Sequence, residues 1–260
     1  MRVSGNRRAM SCALPCMAGV GQQFASAAVF GASGGIGRAL VEALAEGGVG
    51  RVYAGSRSGE TPEGERIHPF RFDYDEPESI ALAAEMMRND PPALVIVATG
   101  ALTLDDGSGP EKSFKQIDAD AMARALYLNT VGPALIAKHA LPLLPRDRRA
   151  VFAALSARVG SISDNQLGGW HSYRASKAAL NMLIRNFAIE MRRTHEQAMV
   201  VGLHPGTVET ALSEPFQGNV PEAQLSTPER SANHLLDVIA GLEPLDSGKC
   251  FDWKGEQVPA

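Results

Sequence analysis

The residues best suited to chemistry lie within one stretch, 151–177, VFAALSARVGSISDNQLGGWHSYRASK. Residues 151–155 read as an apolar strand that delivers Ser156 at its end. A loop rich in Gly, Ser and Asn follows, and Tyr173-Arg174-Ala175-Ser176-Lys177 opens a helix. Four residues apart on a helix, Tyr173 and Lys177 project from one face. A phenol with its ordinary pKa near ~10 holds its proton too tightly for easy exchange at neutral pH. A neighbouring ammonium favours the phenolate, so the spacing predicts a tyrosine acid/base whose pKa Lys177 lowers. The Ser156 hydroxyl would hold a carbonyl or alcohol oxygen beside it. A Tyr-x-x-x-Lys pair also occurs on plain helix surfaces, so its surroundings decide its meaning.

The elements upstream supply those surroundings. Residues 25–30 (ASAAVF) read as a short buried strand running into Gly31-Ala32-Ser33-Gly34-Gly35-Ile36-Gly37. An amphipathic helix over 36–46 then ends at Gly47-Gly48. Strand, glycine turn and helix N-terminus together make a pyrophosphate cradle, with close backbone approach and free N–H groups. The second strand, 51–54, carries Ser56-Arg57 at its end. Chains that bind NAD usually place an acid there for the ribose 2′-hydroxyl. An arginine suits a 2′-phosphate instead, although a solvated surface arginine would look the same in sequence.

These ordered motifs, with SARVGSISDN, GGW and YRASKAALN in the central stretch, resemble the short-chain dehydrogenase/reductase family. Within it they are similar to the C-factor-like subgroup, over roughly residues 25–258. The resemblance implies a Rossmann-type oxidoreductase that interconverts a small-molecule carbonyl and alcohol, and Ser56-Arg57 in place of the usual acid predicts NADP(H) over NAD(H). It implies catalytic roles for Ser156, Tyr173, Lys177 and Asn129, the last distorting the helix 118–138 and holding a water that links the lysine to solvent. Tyr173 and Lys177 would also contact the cofactor, as would Gly31, Ser33, Gly34, Gly35, Ile36, Gly37, Ser56 and Arg57. Asp73 and Tyr74, after a third strand at 67–72, fall at the adenine. Pro205, Gly206, Val208 and Thr210 fall at the nicotinamide end. Ala98-Thr99-Gly100 stands where the family more often has Asn-Ala-Gly: the glycine for cofactor passage is kept and the asparagine is absent. Helices 118–138 and 173–193 carry surplus apolar surface, and the family commonly pairs them between subunits, which implies a homodimer or homotetramer. The subgroup's association with intercellular signalling leaves a dinucleotide-binding regulatory protein as the alternative.

The remaining chain fits a single α/β domain over 24–260, a doubly wound parallel sheet of about seven strands with helices on both faces. Residues 93–99 (ALVIVAT) are apolar almost throughout, as a strand buried on both faces requires. A sixth strand at 199–204 ends in His204, read as a packing residue. Asp75 is either part of the adenine site or the cap of a helix at 77–88. Residues 211–225 read as a substrate lid, 226–229 as a helix start with a capping serine, and 249–253 as a last strand. A net charge of −4 gives no footprint for nucleic acid or anionic membrane. Three scattered cysteines make neither a disulfide framework nor a metal site, and no apolar run reaches membrane-spanning length. A cytoplasmic protein is expected. Residues 1–23 read as a disordered extension, a targeting segment or a start placed too early, with Met10 or Met17 as the true one.

Overall fold

A computed structural model describes residues 18–214 and 225–260. Its centre is a seven-stranded sheet in which every pairing is parallel. In chain order the elements are α1 (Ala18–Gln23), β1 (Ser26–Phe30), α2 (Gly35–Glu46), β2 (Arg51–Ser56), β3 (Ile67–Arg71), α3 (Pro77–Met87) and β4 (Leu94–Val97). They continue with α4 (Ala119–Leu126), α5 (Gly132–Ala140), β5 (Ala150–Leu155), α6 (His171–Met191) and β6 (Ala198–His204). After β6 come a two-strand ladder of β7 (Thr207–Val208) and β8 (Leu225–Ser226), then α7 (Pro228–Gly241) and β9 (Cys250–Asp252).

The strand order is β3-β2-β1-β4-β5-β6-β9. The chain winds outward through β2 and β3, returns to β4, and then winds the other way, so the order reverses between β1 and β4. Brackets of helices on both faces follow from the side-chain alternation of each strand. Ala27, Val29, Leu94, Ile96, Val151 and Val201 face α2 and α7, while Ala28, Val95, Phe152 and Val200 face α3, α5 and α6. A sheet covered on both sides leaves its carboxyl edge as the open place. The reversal point on that edge is where a ligand binds in doubly wound sheets.

Two elements differ from expectation. Residues 18–23, assigned above to an extension, form α1. The backbone N–H of Gly21 donates to the Gly47 carbonyl, and Val20 and Phe24 are buried against the α2/α7 layer. The apolar burial of these two side chains holds the segment down; residues 1–17 lie outside the described residues. The helix over 118–138 is distorted at Asn129, in line with what the resemblance implied: a π turn at Tyr127–Val131 places Asn129 inward and fully buried. Such a turn inserts a residue into the α ladder and re-aims what it carries. The start of α7 is capped by Thr227, whose hydroxyl accepts from Arg230 N–H at 3.3 Å, and not by Ser226.

Candidate active site

The carboxyl ends of β1 to β6 open onto one cleft of about 450 Å³. At the β1 end, Gly31 has φ +102°, a backbone state that favours glycine. A Cβ on Gly37 would overlap the Gly31 carbonyl oxygen, so α2 can start this close to the turn only with glycine there. Ser33, Gly34, Gly35 and Ile36 line the same end. No side chain caps α2 at Gly34, which leaves first-turn N–H groups available to an anion.

Along the β2 rim, Ser56 is 1% exposed and its Oγ has no hydrogen-bond partner among the described residues. Arg57, next to it, is exposed and makes no ion pair there. A buried hydroxyl without a partner is costly unless something completes it. Tyr74 is set in place by an aromatic cluster, with Phe30 edge-on to Phe70 and to Phe72 at 5.1 Å and Phe72 edge-on to Tyr74 at 5.7 Å, and Asp73 by its N–H, which donates to Ser79 Oγ at 2.8 Å. The Tyr74 hydroxyl meets Thr99 Oγ1 at 2.5 Å, and burial raises its pKa. Asp75 caps nothing: Arg124 of α4 binds both its oxygens, at 2.7 and 3.0 Å, and holds its carboxyl below the usual range.

On the far wall stand Ser156, Tyr173 and Lys177, with Thr99 and Gly100 between them and the glycine turn. Lys177 is 3% exposed, its Nζ donates to the Leu155 carbonyl at 2.9 Å, and it lies 5.8 Å from the Tyr173 ring centre. Burial lowers its pKa to about 8. Burial also pushes the Tyr173 phenol up to about 12. The net lowering of the tyrosine's pKa that the spacing predicted is therefore not what this arrangement shows: desolvation of the phenolate outweighs the nearby ammonium, which donates to a backbone carbonyl. A phenol at that value keeps its proton at neutral pH and can donate it.

Asn129 lies behind the wall. Its Oδ1 accepts from Ala101 N–H at 2.9 Å, while its Nδ2 donates to the Ala101 carbonyl at 2.8 Å and to Ser176 Oγ at 3.2 Å. It thus closes off the chain beyond β4, where the family's usual strand-end asparagine is missing. Pro205 and Thr210 line the cleft, but Gly206 and Val208 do not. Gly206 turns beside Trp253 into a separate small pocket, and Val208 is buried in β7 with its carbonyl accepting from Ser213. Of the lid region, residues 211–214 form turns at the cleft mouth, and 215–224 lie outside the described residues.

Sequence reasoning missed Arg124 and Asp105, which also line the cleft, because neither sits in a motif. It also passed over Asn181, which accepts from Ser156 Oγ at 2.6 Å. A signal existed there: Asn181 is one turn beyond Lys177, on the helix face that carries Tyr173.

The sequence profile of the short chain dehydrogenase family matches residues 25–220. The chain belongs to that family. The C-signal protein of Myxococcus xanthus is 38% identical over 143 residues, covering 55% of this chain and 81% of that protein. A 1-hydroxy-2-glutathionyl-2-methyl-3-butene dehydrogenase of Rhodococcus sp. (strain AD45) is 38% identical over 133 residues, covering 51% of this chain and 56% of that enzyme. Among solved structures, an NADPH-bound carbonyl reductase from chicken fatty liver superposes with TM-score 0.76 at 26% identity, over 92% of this chain and 95% of that one. An NADP-bound putative short-chain dehydrogenase/reductase of Burkholderia multivorans does so with TM-score 0.76 at 26% identity, over 90% and 99%.

Proposed function

We propose that this protein is an NADP(H)-dependent oxidoreductase that interconverts a small-molecule carbonyl and its alcohol. The observation that carries the reading is the convergence of Ser156, Tyr173 and Lys177 on the cleft whose other end is the glycine cradle. The residues fit a dinucleotide: a cradle that admits no Cβ at Gly37, an orphaned hydroxyl at Ser56 and a cation at Arg57. Gly31 and Ser33 to Gly37 would hold its pyrophosphate, Ser56 and Arg57 its 2′-phosphate, Asp73 and Tyr74 its adenine, and Thr99, Gly100, Pro205 and Thr210 its nicotinamide half. When bound, the nicotinamide supplies or accepts the hydride.

Ser156 binds the substrate oxygen. Tyr173, protonated at neutral pH, gives that oxygen its proton in reduction and takes it back in oxidation. Lys177, fully enclosed with a pKa near 8, supplies positive charge beside the phenol as the proton leaves. Asn129 holds the backbone behind Lys177 and would anchor the path by which the lysine regains a proton.

The likeness to C-signal favours a second reading, a dinucleotide-binding signalling protein with little turnover. A mere binder has no need of Ser156, Tyr173, Lys177 and Asn129 together, and this retained set favours the enzyme. The test is a panel of aldehydes, ketones and alcohols assayed with each nicotinamide cofactor. Turnover with NADPH that Tyr173→Phe removes supports the enzyme. Binding of NADPH without turnover on any member supports the signalling reading.

A further inference from the structure

We propose that Asn181 is a positioning residue that sets which way the Ser156 hydroxyl points. The inference rests on Ser156 binding the substrate oxygen and asks what holds Ser156 ready. Ser156 is 5% exposed at the end of β5, and its Oγ donates to Asn181 Oδ1 at 2.6 Å. The same Oδ1 accepts from the Cys250 thiol at 3.1 Å. Ser156, Asn181 and Cys250 thus form a chain that joins β5, α6 and β9 behind the cleft wall.

Proton accounting gives the chain its meaning. A serine hydroxyl has one proton to donate and two lone pairs to accept with. With its proton given to Asn181, Ser156 has only lone pairs left for the cleft, which suits the O–H of an alcohol. A carbonyl oxygen needs a donor instead. A half-turn of the Asn181 amide exchanges Oδ1 for Nδ2, which donates to Ser156 Oγ and frees the serine proton to turn toward the cleft. Cys250 tolerates both states, because a thiol is a weak donor and a weak acceptor. Burial keeps that thiol protonated, with a pKa raised to about 11. One amide can therefore match the hydroxyl to either oxidation state of the substrate.

A double-mutant cycle tests this, since a residue acting through Ser156 has no effect once Ser156 is gone. The probe is the panel aldehyde or ketone with the highest turnover with NADPH. Asn181→Ala is expected to lower kcat by about five- to tenfold, the worth of one hydrogen bond, with NADPH affinity kept within about twofold. In a Ser156→Ala background the same substitution should change kcat less than about twofold. A crystal structure of Asn181→Ala should show Ser156 Oγ spread over more than one rotamer. Should Asn181→Ala not fold, Asn181→Leu removes the amide at similar volume and stands in for it. An equal loss of kcat in both backgrounds, or a single unmoved Ser156 rotamer with wild-type turnover, overturns the proposal. Ser156→Ala with wild-type turnover would overturn the role of Ser156 itself, and that result is read from the single variant alone.

Discussion

Tyr173 and Lys177 carry opposite consequences of the same burial. Desolvation disfavours the charged form of each, so the phenol keeps its proton and the amine loses its own more easily. Tyr173→Phe removes only the phenolic hydroxyl and should lower turnover by about 10²- to 10⁴-fold while NADPH binding, followed by fluorescence titration, stays near wild type. Retention of most activity would refute the proton-donor role. Cofactor choice rests on the β2 rim. Arg57 offers an exposed cation, and Ser56 leaves out the carboxylate that would repel a phosphate. A charge-assisted contact is worth about 1.5–3 kcal/mol, so NADPH should bind about ten- to a hundredfold more tightly than NADH. Arg57→Ala should erase most of that gap, and adding Ser56→Asp should reverse it. Equal binding of both cofactors by the wild-type protein would sink the assignment.

Two elements behave in ways their residues alone do not suggest. α1 and the Phe24 that follows it are docked, not loose: Phe24 is fully buried, with the Arg149 guanidinium 5.8 Å from its ring centre. Arg149 in turn donates to the carbonyls of Ile239, Ala240 and Leu242 at the end of α7. Phe24→Ala should cost about 3–5 kcal/mol in urea unfolding; a change within error would show that α1 contributes nothing. At the end of β6, His204 sits opposite Asp252, its Nδ1 buried without a partner among the described residues, and burial lowers its pKa to about 4. Between pH 6.5 and 4 the unfolded chain binds a proton that the folded one refuses, so stability falls as pH falls through that window. His204→Gln should flatten that part of a Tm-against-pH curve, and an unchanged slope would count against it.

At the scale of the molecule, the helix layer made by α4, α5 and α6 leaves apolar side chains uncovered. Met182 and Ile189 are 62% and 38% exposed on α6, and Val131 on the π turn is 42% exposed. Seven residues apart, Met182 and Ile189 share a face, and a second copy of the same layer would cover it. We expect a dimer or tetramer by light scattering at micromolar concentration, converted toward monomer by Met182→Glu with Ile189→Glu. A monomeric wild-type protein would refute this. Among the described residues no helix is long and apolar enough to cross a membrane.

Much of this was legible in order along the chain. Apolar runs marked the strands within a residue or two, the glycine spacing marked the nucleotide turn, and Tyr173 and Lys177 needed only helical periodicity to be placed side by side. Those signals are local, set by backbone geometry and by side-chain period, and a sequence carries them directly. What only the folded chain decided depends on burial and on distant neighbours. The helical spacing of Tyr173 and Lys177 suggested a lowered phenol pKa, yet the enclosure of the site raises it. Asp75 read as either a helix cap or part of the adenine site, and Arg124, 49 residues away, takes both its oxygens at the cleft wall. Gly206 and Val208 lie in the same motif as Pro205 and Thr210 but do not line the cleft, Gly206 lining a neighbouring small pocket and Val208 being buried in β7. Cys250 and Ser156 meet the same amide oxygen only because β9 and β5 flank β6, and no spacing in the sequence measures that distance.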